Sequence, residues 1–421
     1  MTDSNIISLT SSSTEDVLNE LLKQGARNLL AKAIEAEVSE LLGRYRHLTE
    51  EGKQVVVRNG HLPERTIQTG LGDIPVKVPK VRDRSGQGIK FNSQLVPPYL
   101  KRSKHLDEFI PWLYLKGIST GDMQPALEAL LGEGATGLSA NTVSRLKQTW
   151  EQDYEHWRKR DLSQRRYVYI WADGVYCNVR MDDKLCLLVI VGSDETGRKE
   201  VLAVVDGYRE SEASWTDVIE QLESQGMTIA PKLAVGDGAL GFWKAIAKKW
   251  PTTACQRCWV HKTANVLNKV PKAMQPKIKD ALHDIWMAET KQAAETALAS
   301  CIKRYEAKYP GAMNCLVKDR EPLLAFYDFP AEHWQHIRTS NPIESVFATV
   351  RLRTTQTKNC GNRKTTLAMA WKLMTTAQKK WRRLRGYKLL ADVIEGVKFK
   401  DGEKVEADQF QDTAELAIHQ I

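Results

Sequence analysis

Apolar residues near the start of the chain recur at helical intervals: Leu22, Leu29, Leu30, Ile34, Val38, Leu41 and Leu42 fall mostly three, four or seven apart. That spacing predicts an amphipathic helix in need of a partner surface, opened by Ser12 and Glu15 as a capping box. Between residues 60 and 84 the period changes to two, with Ile74, Val76 and Val78 interleaved with Pro75, Lys77 and Pro79. Alternation predicts strands, and the prolines confine them to an edge ribbon. From Leu106 to Trp150 the helical period returns, with turns at Gly117 and around Gly132 to Gly137 and a last helix opened by Ser139. On that helix Val143, Leu146 and Trp150 share an inner face. Asn141, Thr142, Ser144, Arg145 and Gln148 are left outward, where a helix-turn-helix would meet base edges or phosphates. The alternative is an ordinary helical lead-in to the next domain.

From Arg166 onward strands dominate. Tyr167 to Ala172 is followed by Asp173-Gly174, Leu185 to Val191 is almost wholly apolar, and Glu200 to Val205 is followed by Asp206-Gly207. Three such runs with short connections predict an antiparallel meander. A helix capped by Ser211 follows, with Trp215, Val218, Ile219 and Leu222 on one face. Next come a strand over Lys232 to Val235, a helix through Phe242, Ile246 and Trp250, and a strand over Thr252 to Cys255. The order β-β-β-α-β-α-β-α describes an α/β, RNase H-like core whose first and fourth strands lie side by side and parallel. Residues 260 to 335 read as helical, and a structureless loop of that length is improbable inside a compact domain, so they are assigned to an all-α insertion. Seven segments result: a helical region over 1–60, a β-ribbon region over 61–105, a helix-turn-helix-like DNA-binding region over 106–160, the core over 161–259 and 336–390 with the insertion 260–335 between, and a C-terminal tail over 391–421.

The chain has 421 residues, 42% hydrophobic and 27% charged, with 12 tryptophans. It is too long for one hydrophobic core and too apolar for a mainly disordered chain. Neither a membrane-length apolar run nor a basic-then-apolar leader is present, so a cytoplasmic location and reduced thiols are expected. Charge is distributed unevenly. The segment Arg338 to Lys388 carries 13 basic residues and one acid, Glu344, a net +12 against a formal +9 for the whole chain. All the excess positive charge therefore lies there, and Arg338, Arg351, Arg353, Lys358, Arg363 and Lys364 are candidate phosphate contacts. A solvated helix face is the alternative for any basic run. The lone carboxylate repels phosphate, and its placement suggests that it holds a metal.

Two-metal phosphoryl transfer needs acidic oxygens flanking a pair of divalent ions. Asp173 and Asp237 each follow a strand and precede a glycine, and if those strands are neighbours the two backbones sit about 5 Å apart. Asp206 shares the Asp-Gly signature but falls two strands away, about 10 Å by strand spacing, and is assigned to a turn. Glu344 falls in the first turn of a helix capped by Ser340 or Asn341, with Pro342 at its first position and Arg351 two turns on along the same face. Cys255, Cys258 and His261 have spacings that suit zinc, although a second Cys or His pair is missing.

These residues resemble a known family. Trp171-Ala172-Asp173-Gly174-Val175-Tyr176, Val235-Gly236-Asp237-Gly238-Ala239, Gln256-Arg257-Cys258-Trp259-Val260-His261 and Asn341-Pro342-Ile343-Glu344-Ser345 with Arg351 look like the signature series of bacterial insertion-sequence transposases of the Mutator superfamily. Arg58-Asn59-Gly60 is a weaker match to its N-terminal region. The resemblance implies a DDE triad of Asp173, Asp237 and Glu344 on an RNase H-like core, with Arg351 as the basic residue after the Glu. It also implies magnesium, with manganese as a substitute, and DNA partners comprising an element's terminal inverted repeats and a target. Pairing two ends implies a homodimer or higher oligomer. Two other readings stand beside it: a magnesium-dependent nuclease that never joins strands, and a regulatory DNA-binding protein without chemistry.

Overall fold

A computed structural model describes residues 14–46, 49–50, 52–131, 140–178, 184–207, 209–356 and 362–405. The chain divides into two units, Met1–Ser144 and Arg145–Ile421.

The first unit opens with helix α1 (Thr14–Arg44), followed by the two-residue strands β1 (Thr49–Glu50) and β2 (Lys53–Gln54). Strands β3 (Val56–His61), β4 (Arg65–Thr69), β5 (Gly72–Val76) and β6 (Pro79–Asp83) then pair as two antiparallel ribbons, β3 with β6 and β4 with β5. Ile74, Val76 and Val78 are buried with Ile34 of α1, and Val38 is buried with Val56 and Val81. The alternation thus identifies the inner face of the ribbon. The apolar series on α1 is only partly used, because Leu22 and Leu29 are exposed. A helix of 31 residues spans about 46 Å, whereas ribbons of five or six residues span about 20 Å and cover only its C-terminal part. Arg58 reaches back to α1 and grips Glu35 through two hydrogen bonds of 2.8 and 2.6 Å. Helices α2 (Lys104–Lys116) and α3 (Thr120–Leu131) meet at Gly117, whose φ of 116° ends α2 in the left-handed region. The expected turn over Gly132 to Gly137, the cap at Ser139 and the capping Ser12 lie outside the described residues.

Helix α4 (Ala140–Trp157) carries the unit boundary and leads into a five-stranded sheet. Its strands are β7 (Tyr167–Asn178), β8 (Lys184–Asp194), β9 (Lys199–Gly207), β10 (Leu233–Gly236) and β11 (Ala254–Arg257), with α5 (Glu212–Ser224) before β10 and α6 (Leu240–Lys249) after it. The spatial order is β11-β10-β7-β8-β9. The first three strands form an antiparallel meander, while β10 runs parallel to both β7 and β11. The core is thus mixed α/β, with the first and fourth strands adjacent.

Strand ends differ from the sequence expectation at both early Asp-Gly pairs. Strand β7 continues through Asp173 and Gly174, which pair with Val189 and Leu188, and β9 runs through Asp206 to Gly207. Asp206 is therefore a strand residue and not part of a turn. Pairing with the long central β8 overrides the local turn preference of Asp-Gly.

Successive side chains of a strand point to opposite faces. Ile170 and Ala172 of β7, with Leu188, Ile190, Leu202 and Ala234, pack against Trp215, Ile219 and Leu222 of α5 and Phe242 and Ile246 of α6. Tyr169 and Trp171 take the other face, where the Tyr169 hydroxyl meets His333 Nδ1 at 2.8 Å and the Trp171 indole N–H donates to the His336 carbonyl at 2.9 Å.

From Trp259 to Ile337 the chain is helical. Helices α7 (Trp259–Leu267), α8 (Gln275–Trp286), α9 (Lys291–Tyr305), α10 (Pro310–Val317), α11 (Arg320–Leu324) and the single-turn α12 (Trp334–Ile337) enclose buried Ile278, Leu282, Ile285, Ala294, Leu298 and Leu316. The chain then returns through α13 (Asn341–Gln356), which packs over β7, and α14 (Arg363–Gln378), which packs against β9. Helix α15 (Leu390–Glu395) and the two-residue strands β12 (Phe399–Lys400) and β13 (Glu403–Lys404) complete the described residues.

Candidate active site

Asp173 lies two residues beyond Trp171 on β7, so its side chain leaves the sheet on the face covered by α13. Beside it, β10 stops at Gly236, which is in register with Ala172. The next residue along each chain is an aspartate, which brings Asp173 and Asp237 together on adjacent parallel strands. Asp237 turns the chain: its Oδ1 accepts the Ala239 N–H at 2.8 Å, and Gly238 follows with φ of 89°. A Cβ at Gly238 would run into the buried Arg257 guanidinium, so this position combines a left-handed backbone with a close approach. Glu344 comes from the first turn of α13, where the Ser340 carbonyl accepts the Ile343 and Glu344 N–H groups at 2.9 and 3.2 Å.

One ligand atom each from Asp173, His261 and Glu344 lies within 4.8 Å of the others, and no other such group of three occurs among the described residues. Asp237 is not a member of that group, although its charge acts on it. Burial, then repulsion from Asp237, pushes the Asp173 carboxyl up to about 8, with Glu344 adding to the effect. Glu344 is held below the usual carboxylate range, first by its hydrogen bond with His261. His261 Nε2 stands 3.1 Å from Glu344 Oε1, and Arg351 stands 3.7 Å from Oε2. Hydrogen bonding to Cys258, and next to Glu344, pushes the His261 imidazole up to about 10. A buried carboxylate crowded by two others is poorly stabilised as an anion. A divalent cation would relieve that crowding, and oxygen donors from two acids beside an imidazole suit one. The residues therefore fit a metal centre.

Zinc on Cys255, Cys258 and His261 does not fit. Cys258 Sγ instead accepts the Ser340 N–H and hydroxyl, each at 3.2 Å, and Cys255 packs against the sheet–helix core. The strand-to-helix junction explains the separation. Cys258 and His261 meet through a hydrogen bond, but Cys255 sits in extended β11 with its side chain against the core, so the three do not converge.

Comparison with known proteins agrees with this geometry. Residues 2–383 match the model of the family described as "Transposase, Mutator family". The chain is 50% identical over 287 residues to the transposase for insertion sequence element IST2 of Acidithiobacillus ferrooxidans, covering 66% of this chain and 95% of that protein. It is 49% identical over 302 residues to the transposase for IS6120 of Mycolicibacterium smegmatis, covering 72% and 93% respectively. A more distant relative, the transposase for ISRM5 of Rhizobium meliloti, is 26% identical over 377 residues, covering 89% of this chain and 92% of that protein. The chain belongs to the Mutator family of transposases.

In this family member the basic residues singled out from charge density have different fates. Arg338 is committed to the helical insertion: its guanidinium lies 4.5 Å from the Trp286 ring and donates to the Trp286 carbonyl at 3.1 Å. Arg363 grips Asp206 through bonds of 2.9 and 2.6 Å. Lys364 is 67% exposed, with Glu151 at 4.0 Å. Arg353 lies on α13 but its side chain is outside the described residues, as is Lys358 altogether. On α4, Asn141 and Arg145 are exposed and Thr142 is half-buried, while Val143 and Trp150 are buried.

Two residues at the site were not assigned a role from sequence. His261 was visible as part of the Gln256-to-His261 motif, but its contact with Glu344 was not. Glu210 had no sequence signal; it lies against Gly174, where a Cβ would collide with its carboxylate. Burial, then the Asp237 charge, raises its carboxyl.

Proposed function

We propose that this chain is a DDE-type DNA transposase that binds the terminal inverted repeats of an insertion sequence, cuts DNA at the element's end and joins the freed strand to a target. The observation that carries this reading is the meeting of Asp173 and Glu344 within a ligand group, with Asp237 on the adjacent strand raising the Asp173 carboxyl. Strand order and the helical insertion support an RNase H-like core for these acids. Asp173, Asp237 and Glu344 would hold Mg2+, or Mn2+ in its place. A divalent metal held by these acids would supply Lewis-acid activation of water or a 3′-hydroxyl and charge stabilisation at the leaving oxygen.

The chain's own residues do the rest. Arg351, on the same face of α13 as Glu344, offers a cation to the scissile phosphate, and Arg353, Lys358 and Lys364 extend basic charge along the backbone of bound DNA. Asn141, Thr142 and Arg145 of α4 are assigned to recognition of the element's ends. Arg338 and Arg363 are engaged within the protein and act there first. Pairing two ends calls for a homodimer or higher oligomer. Among the described residues no helix is long and apolar enough to cross a membrane.

The test uses a plasmid bearing paired element ends with a separate target plasmid. Joined products in Mg2+, lost in Asp173→Asn, Asp237→Asn and Glu344→Gln while DNA binding persists, are expected. Nicking without joining would replace this reading with a nuclease, and metal-independent binding alone would replace it with a regulator.

A further inference from the structure

The Cys258 and His261 pair is explained neither by zinc nor by the three acids themselves. Its surroundings give it a definite place. The Cys258 backbone N–H donates to the Gly236 carbonyl at 2.8 Å, next to Asp237. Its sulfur, fully buried, accepts both the N–H and the hydroxyl of Ser340 at 3.2 Å. Ser340 in turn starts the helix that carries Glu344, through its carbonyl bonds to the Ile343 and Glu344 N–H groups. The Ser340 hydroxyl also stands 3.3 Å from His261 Nδ1, and the opposite ring nitrogen faces Glu344 Oε1 at 3.1 Å. One residue thus joins the end of β10 to the start of α13, and a second, one helical turn on, reaches from that junction to the third acid.

We propose that Cys258 and His261 are positioning residues for the metal centre: Cys258 locks the start of α13 onto the sheet, and His261 donates from Nε2 to Glu344 Oε1, fixing the orientation of the carboxylate that would serve a divalent cation. The chemistry favours this arrangement. A carboxylate on a flexible two-carbon stem samples several rotamers, and a fixed donor on one oxygen orients the other. Holding Nδ1 against Ser340 fixes the ring plane, as such partners do for metal-site imidazoles. The sulfur suits its place because, fully buried, it accepts both donors of Ser340. The proposal rests on the metal-dependent reading of the site given above.

The experiment measures Mn2+ binding to the full chain by loss of the free-ion electron paramagnetic resonance signal, alongside thermal unfolding in chelator. Wild type should bind and Asp173→Asn should not; equal behaviour of these two would overturn both the metal reading and the positioning roles. His261→Ala should bind about 10- to 100-fold more weakly and His261→Gln, which keeps a donor, should recover part of the loss. Cys258→Ser should stay nearer wild type than Cys258→Ala because it keeps an acceptor for Ser340. If folded His261→Ala, or His261→Gln should the alanine variant not fold, binds Mn2+ with wild-type affinity and wild-type response to Mg2+ competition, the positioning role is wrong while the metal reading survives. Directly coordinated nitrogen in the spin-echo spectrum of bound Mn2+, absent in His261→Gln, would also overturn it by making His261 a ligand.

Discussion

Replacing Asp173 by asparagine should stabilise the metal-free protein while abolishing its chemistry. Asp173 is 6% exposed, and burial, then the Asp237 charge, pushes its carboxyl up to about 8 from an ordinary 3.8. A carboxyl whose folded pKa is raised carries no penalty at low pH, where both states are protonated. The penalty grows as pH climbs from 3.8 toward 8, because the unfolded chain ionises freely and the folded chain does not. At pH 7 the gap of about three units sets a ceiling of roughly 4 kcal/mol, and relaxation of the neighbouring acids brings the expectation to about 2 kcal/mol. Asparagine has the same shape, no charge, and an amide that can still donate to Glu344. For a unit of this size 2 kcal/mol is about 3 to 4 °C in unfolding temperature. Thermal unfolding in EDTA should therefore show Asp173→Asn above wild type at pH 8 and level with it at pH 4. Mn2+ should raise the wild-type transition, more at pH 8 than at pH 6, and leave that of the variant unmoved. An asparagine variant that unfolds at or below wild type in EDTA at pH 8 would refute the crowded-carboxylate account.

Three further outcomes follow from the geometry. Gly238→Ala combines a φ of 89° with displacement of Arg257, whose Nε lies 3.2 Å from Asp319, and should cost about 2 to 4 kcal/mol in chemical denaturation; a loss under 1 kcal/mol would show that the loop tolerates a side chain. Arg363→Ala should lower stability by about 1 kcal/mol through loss of its grip on Asp206 and leave the salt dependence of DNA binding unchanged, whereas Lys364→Ala should reduce that log–log slope by about one. Equal slopes for both variants would return Arg363 to the DNA contacts or remove Lys364 from them. Trp171→Phe leaves the His336 carbonyl without its indole donor and should cost about 1 to 2 kcal/mol, read as a shift in urea midpoint at constant slope.

The order of strands and helices was legible because each apolar run in the core is unbroken and each helix face repeats at its own period. The third acid was legible for a different reason, as the one carboxylate inside a basic helix. Strand ends were not, since Asp-Gly carries turn chemistry whatever its neighbours, and only the partner strand decides that Asp173 and Asp206 continue the ladder. Charge density likewise names cations without saying where they go. Arg338 and Arg363 look alike in a basic run, yet one lies over Trp286 and the other grips Asp206. His261 shows the same limit from the other side. Its spacing from Cys258 is visible, but its partner Glu344 lies far along the chain and meets it only because α7 and α13 start side by side, at Cys258 and Ser340.

That adjacency also explains how a long helical insertion can separate the second acid from the third without blurring the site. The Trp259 N–H donates to the Arg338 carbonyl at 3.0 Å, so the insertion starts and ends at one hydrogen bond. Gln256 and Trp259 then fasten its far side: both donate to the Leu323 carbonyl, at 3.1 and 2.8 Å, and Gln256 also accepts the Phe326 N–H at 2.8 Å. Loop-closure entropy rises only slowly with length, so closing such a segment costs little more than closing a short one. What the grouping of Asp173, His261 and Glu344 requires is that the chain re-enter at a fixed point and direction, and the bonds of Ser340 to Cys258 supply that point. The position of Glu344 is therefore set by the end of the sheet and not by the helices in between, which leaves the insertion free to vary in size and surface while the three acids keep their places.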